Sequence, residues 1–317
     1  MNSTLTTTTE SSYSSERVAN IDRLRIFAAF GIVWFHTESV AGRGIGYSGL
    51  IIFLLVFCSL IVTHSELHGP GDFVKRRARR LLIPWLFWSA VYGLLKLGKA
   101  LVLKSPISAT FRTPAVLVGT HIHLWYLPYA FLAAVCIYLL ARHSSSVPLV
   151  VAAGAAALTG VIALPVCSTL MSSVAATPPF PQWLFGLAAI PLGFAIGQCR
   201  RVSNVQIRQC LLAMISLAVL AECLSLKVLG HRHLTVQYAV AVPLVCGAYL
   251  WQGRQDRISQ ALAPLAYGIY LVHPLVSYSP GLLSKLTANP WVQIVTVFAV
   301  SAILASILRA TPLRRFV

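Results

Sequence analysis

Residues 47–64 read Tyr47-Ser48-Gly49-Leu50-Ile51-Ile52-Phe53-Leu54-Leu55-Val56-Phe57-Cys58-Ser59-Leu60-Ile61-Val62-Thr63-His64, a run without one Asp, Glu, Lys or Arg. A helix rises 1.5 Å per residue, so a run of this length nearly matches the roughly 30 Å hydrocarbon core of a bilayer and reads as a transmembrane span. Outward from it, nine further apolar runs are bounded by charges or by Gly, Pro and polar clusters, at about 26–42, 82–103, 124–141, 148–166, 183–198, 209–226, 234–251, 264–279 and 291–308. Composition agrees: of 317 residues 57% are apolar and 10% charged, against roughly 25% charged in an average soluble protein. So few charges cannot cover a water-facing surface. The expected fold is an all-α polytopic membrane protein, a bundle of about ten transmembrane helices.

Charge distribution gives an expected orientation. Lys and Arg number 25 against 8 Asp and Glu, a formal net charge of +17. In a soluble chain that balance would suggest nucleic acid, but most of these cations lie in short segments between apolar runs, where they report topology and contact with anionic lipid or ligand. With the N-terminus inside, 17 fall in cytoplasmic segments and 8 on the other side. The positive-inside rule therefore favours both termini in the cytoplasm. The expected organisation is a disordered, Ser/Thr-rich cytoplasmic tail at 1–16 without the order of a cleavable signal, a transmembrane unit at 17–310, and a cytoplasmic tail at 311–317. The seven cysteines form no CxxC pair and read as small buried residues. Every loop is short, and no internal repeat is evident.

An ionisable group inside a bilayer costs about 2.5–3.5 kcal/mol on insertion scales and needs a partner, a wet cavity or a function. Three places stand out. Arg25 precedes His36 by eleven positions, which on a helix returns nearly to the same azimuth and separates the two by roughly 16 Å. That geometry suits a ligand with an anionic head at the membrane surface and a reactive end inside the bilayer. A snorkelling Arg and a structural His are the alternative. Glu38 either orients a charged imidazole or lies at the outer water boundary. Second, Lys75-Arg76-Arg77-Ala78-Arg79-Arg80 offers five cations in six residues. This run sets topology and touches lipid, or its guanidinium forks, Arg76, Arg77, Arg79 and Arg80, hold phosphates such as those of coenzyme A. Third, His121-Ile-His123-Leu-Trp125-Tyr126 opens the fourth run and Tyr267-Gly-Ile-Tyr270-Leu-Val-His273-Pro274 lies in the ninth. Trp125 and Tyr126 fit interfacial anchors equally well. Tyr267, Tyr270 and His273 are spaced by three and share one stripe, polar and aromatic as a carbohydrate face would be. Two His at 121 and 123 are too few for a metal site, and no HExxH, GxSxG, Walker or GxGxxG pattern stands in a usable context.

At these residues the chain resembles the membrane acyltransferase 3 family, over about residues 17 to 310. The resemblance is carried by Asn20-Ile-Asp22-Arg23-Leu-Arg25 leading to His36 as an Arg-x10-His motif, the basic run before Leu82-Ile83-Pro84, Leu124-Trp125-Tyr126-Leu127 opening a span, and the tyrosine-rich motif at 267–274. It departs in the second span, where Gly49-Leu-Ile-Ile-Phe53 leads to Phe57-Cys58 and many relatives have Ser-Gly. The resemblance implies an integral membrane O-acyltransferase of the bacterial inner membrane. Such an enzyme moves an acyl group, commonly acetyl, from cytoplasmic acyl-CoA to a hydroxyl of a surface or extracellular polysaccharide or its lipid-linked precursor. It implies that His36 is the essential histidine, and Arg25 and, by the reading of the residues above, Glu38 join it as candidate catalytic residues. Arg25, Arg76, Arg77, Arg79 and Arg80 would serve acyl-CoA, and His123, Trp125, Tyr126, Tyr267, Tyr270 and His273 the acceptor side. No permanently bound cofactor or metal is expected; the partners are donor, acceptor, lipid and glycan-assembly proteins. Two other classes stand beside it: a transporter with a His/Arg/Glu proton or solute path, and a structural member of a glycan-assembly complex, which would need none of these polar residues.

Overall fold

The computed structural model describes residues 19–37, 40–64, 69–104, 106, 115–173, 178–231, 234–251, 253–277 and 289–317. Ten principal helices coincide with the ten apolar runs: α1 Ala19–His36, α2 Ser48–His64, α3 Pro70–Val102, α4 Tyr126–His143, α5 Leu149–Ser173, α6 Phe180–Arg201, α7 Val205–Val228, α8 Thr235–Leu250, α9 Ala266–Ser277 and α10 Pro290–Arg309. No strand occurs among the described residues. Seven helical segments are long and apolar enough to cross a membrane, and α8 is a shorter apolar helix. Of the others, α1 opens with Asp22, Arg23 and Arg25, and α9 has 12 residues. The chain is a multi-pass membrane protein by its helix composition.

The helix that decided the sequence reading is also the centre of the bundle. α2 packs on α6, α1, α8 and α4, and its Ile51, Ile52, Leu54, Leu55 and Cys58 are fully buried. A span apolar on every side belongs inside a bundle, whereas α5, α7 and α10 turn Leu158, Ile162, Leu217, Leu224 and Ile303 outward, as lipid-facing helices do. Close helix approach in lipid depends on small residues, because apolar contact with tails competes with contact between helices. At the α1–α2 crossing, a Cβ on Gly31 would stand 2.6 Å from the Gly46 carbonyl oxygen, and one on Gly49 would overlap the Ala28 carbonyl. Glycine there lets α1 lie against the start of α2, and that contact fixes where Arg25 and His36 point.

Three helices depart most from the expected runs, and one of them, α5, runs on to Ser173 where an end near 166 was expected. α1 begins at Ala19 and ends at His36, where an apolar run at 26–42 was expected. Its N-terminal turn is held by polar ties: Arg23 donates to Asp256 Oδ2 from Nε at 3.1 Å and from Nη2 at 3.0 Å, and Asn20 Nδ2 donates to the Trp251 carbonyl at 2.6 Å. Beyond His36 the chain turns back through Gly42, whose φ of 71° favours glycine. α3 begins at Pro70 and runs 33 residues with Pro84 inside, about 50 Å at 1.5 Å per residue. That exceeds the hydrocarbon thickness, and the basic run 75–80 lies in the first turns of this helix, where Phe73 stacks on Tyr138 of α4.

Candidate active site

Two cavities flank the middle of α9. The larger, about 740 Å³, is lined by six arginines: Arg25 from α1, Arg77, Arg79 and Arg80 from α3, and Arg314 and Arg315 from the C-terminal turn. Its remaining wall is apolar and aromatic, including Phe53 and Phe57 of α2, Tyr126 of α4, and Tyr267 and Tyr270 of α9. Such a volume is typical of pockets for sizeable small molecules. Arg25 faces Asp22 at 3.6 Å. The Arg77 guanidinium lies 5.4 Å from the Phe57 ring centre and 5.3 Å from that of Phe73. Stacking holds a guanidinium by its faces and leaves its N–H edge for an anion.

The smaller cavity, about 140 Å³, is lined by His36, His121, His273, Pro274 and Ser277. His36 closes α1 and is half-buried, with its ring centre 5.1 Å from that of His273. His123 stands 5.7 Å from His273 and 4.6 Å from His121, so four histidines from α1, α9 and the segment before α4 converge. Among the described residues no group of three or more His, Cys, Asp or Glu is arranged to hold a metal ion.

A thin partition separates the cavities. Tyr270 lines the larger one and His273, three residues on, the smaller. The Tyr270 hydroxyl donates to the His123 carbonyl, its ring lies 5.5 Å from that of Tyr126, and the Tyr92 hydroxyl donates to the Leu271 carbonyl at 2.6 Å. A buried tyrosine holds its place by such bonds because an unpaired hydroxyl in an apolar layer is costly. The stripe read from sequence therefore has its two ends in two different cavities.

Of the site residues read from the sequence, Arg25, Arg77, Arg79, Arg80, Tyr126, Tyr267 and Tyr270 meet at the larger cavity, and His36 and His273 at the smaller. Arg76 is exposed and lines neither cavity. His123 and Trp125 are buried beside the partition and also line neither. Glu38 lies outside the described residues. Sequence reading did not single out Arg314, Arg315 or Tyr92: the two arginines counted only toward charge bias, and a tyrosine in an apolar run carries no signal of its own.

A family model described as an acyltransferase domain, of the acyltransferase 3 type, matches residues 18–310. The chain belongs to the acyltransferase 3 family. No curated protein and no solved structure matches it. Membership makes this a membrane acyltransferase, with an acyl donor and an acceptor as its reactants. The two cavities of this acyltransferase 3 protein differ in chemistry. One is rich in cationic forks suited to an anionic carrier, and the other presents imidazoles suited to proton transfer.

Proposed function

We propose that this acyltransferase 3 protein moves an acyl group, acetyl in the simplest case, from acyl-CoA held in the arginine cavity to a hydroxyl of a surface polysaccharide or its lipid-linked precursor, in a bacterial inner membrane. One observation carries the reading: α1 delivers Arg25 to the arginine cavity and His36 to the imidazole cavity, the two ends that a long donor with a phosphate head and a thioester tail would span. Arg25, Arg77, Arg79 and Arg80 bind the phosphates. The pantetheine arm lies against Tyr126 and Tyr270, and the partition that Tyr270 forms must open for the thioester to reach His36.

His36 acts as general base. As the acceptor oxygen attacks the thioester carbonyl carbon, its proton passes to the neutral imidazole. The tetrahedral oxyanion then collapses, the C–S bond breaks, and the CoA thiolate takes the proton back from the imidazolium. His273 and His121 border the same cavity and donate to the oxyanion or the acceptor. His123, whose ring packs on those of His121 and His273, supports that wall from behind, and Trp125 packs on Tyr126 and Tyr129.

The test is ester-linked acetyl in the host's extracellular polysaccharide, compared among a deletion strain, the deletion carrying this protein, and the deletion carrying His36→Ala at matched membrane abundance. Loss, rescue and failed rescue, in that order, are expected. Unchanged acetylation throughout rules out that acceptor. Solute uptake that depends on His36, with acetylation intact, would favour a transporter.

A further inference from the structure

The last turn of the chain builds one wall of the arginine cavity. Pro312–Phe316 forms a 3-10 turn after α10, opened by Thr311, whose Oγ1 accepts the Leu313 N–H at 3.2 Å. Three contacts fix its place. Trp88 Nε1 of α3 donates to the Phe316 carbonyl at 2.9 Å, and the Phe316 ring stacks on Phe87 at 4.1 Å and 9°. Gly268 of α9 leaves room for Val317, since a Cβ there would stand 3.0 Å from Val317 Cγ1 and 2.8 Å from Ala305 Cβ. Arg314 and Arg315 thereby line the cavity together with Arg25, Arg77, Arg79 and Arg80.

These two side chains are placed for an anion. Among the described residues neither makes an ion pair, and the Arg315 guanidinium lies 4.8 Å over the Phe316 ring. That repeats the treatment of Arg77 on Phe57 and Phe73: faces stacked, edges free. Six cations around one cavity, of which only Arg25 has a carboxylate partner among the described residues, make a field that favours a multiply charged anion. The turn also lies beyond the family match, which ends at residue 310.

We infer that Arg314 and Arg315 form a second phosphate-binding wall, facing the cavity from a different element than the α3 run, so that the donor's nucleotide phosphates are gripped from two sides. This rests on the donor reading above. A single-phosphate ligand needs one cluster of forks; two clusters on separate elements match a carrier with separated phosphate groups, as in coenzyme A. Bidentate guanidinium–phosphate contacts are among the stronger hydrogen bonds in proteins, and loss of two should weaken binding by about tenfold or more.

The experiment is calorimetric titration of coenzyme A into the full-length protein in phosphatidylcholine nanodiscs. It compares the parent, Arg314→Ala/Arg315→Ala, Arg314→Lys/Arg315→Lys and Arg77→Ala, with thermal midpoints recorded without ligand. The alanine pair should weaken coenzyme A at least tenfold with an unchanged midpoint, and the lysine pair should keep part of the affinity. If the alanine pair fails to fold, Arg314→Gln/Arg315→Gln, which keeps a long polar side chain, carries the same comparison. Parent-like affinity in the alanine pair, with affinity lost in Arg77→Ala, overturns the second wall and leaves the donor reading standing. No binding by the parent overturns both. A repeat in nanodiscs containing phosphatidylglycerol separates the lipid source: a difference between parent and pair that appears only there assigns the two arginines to a lipid headgroup and overturns the inference.

Discussion

Arg25 and Arg23 sit two residues apart on α1 and have different surroundings. Arg23 is tied to Asp256, Asn20 and the Arg254 carbonyl, while Arg25 borders the arginine cavity. Eleven residues on, His36 borders the other cavity. The two substitutions should therefore fail differently. His36→Ala removes the proposed base, and acyl transfer should fall by about a hundredfold or more at saturating donor; an unchanged turnover would remove His36 from the chemistry. Arg25→Ala should raise the KM for acyl-CoA while kcat falls much less, because the contact it loses is one made equally in the ground state and transition state. Equal loss in kcat and kcat/KM would place Arg25 at the reacting atoms instead. The pairing of Arg25 with His36 was legible in the sequence from spacing alone. That Arg76 faces away and Arg77 inward was not, because in a run of five cations charge gives no azimuth.

Helix contacts set where those residues stand. The α1–α2 crossing depends on Gly31 and Gly49, and Gly49→Leu would drive a side chain into the α1 backbone at Ala28. Overpacking of this kind costs about 1–3 kcal/mol or more, so the variant should show a lowered thermal midpoint and reduced membrane abundance; parent-like stability would mean that the crossing is looser than described. The opposite end of α1 is tied by Asp256, which also caps the short helix Arg257–Leu262 by accepting from Ser259. Bonds from the Ser259 backbone and side chain, and then Arg23, hold the Asp256 carboxyl down, from 3.8 to about 2. A depressed carboxylate stabilises the fold above its unfolded value and loses that contribution as pH falls through the folded one. The tie is thus complete above about pH 4 and lost toward pH 2. Parent stability should fall between those values more steeply than that of Asp256→Asn, as followed by thermal unfolding in detergent; parallel curves would show that the tie contributes nothing. The ten apolar runs announced the helices themselves, but the partner of Arg23 lies 233 residues away, and no local pattern reports such a pairing.

For the molecule as a whole, the charge bias and the arginine cavity make one joint prediction. If the side rich in Lys and Arg is cytoplasmic, the cavity opens to the cytoplasm where acyl-CoA is made. In a cysteine-free background, Ser203→Cys in the exposed turn between α6 and α7 should react with a membrane-impermeant maleimide in inside-out vesicles alone. Gly230→Cys after α7 should react in intact spheroplasts alone. The reversed pattern would turn the donor cavity outward and sink the acyl-CoA reading.

The amino-acid sequence alone determined the solvent, the helix count and the proton-transfer candidate. Length and polarity of each run are properties of contiguous residues, and a bilayer admits few ways to satisfy the backbone of an apolar run. It likewise placed Arg25 and His36 on one helix, since helical spacing is a local quantity. Only the tertiary structure divided Tyr270 from His273 between two cavities, gathered His36, His121, His123 and His273, and folded Arg314 and Arg315 against α3. Those arrangements depend on which helix packs on which, and that is decided by small residues at crossings and by single hydrogen bonds between segments far apart in the chain, whose cause is shape and not composition.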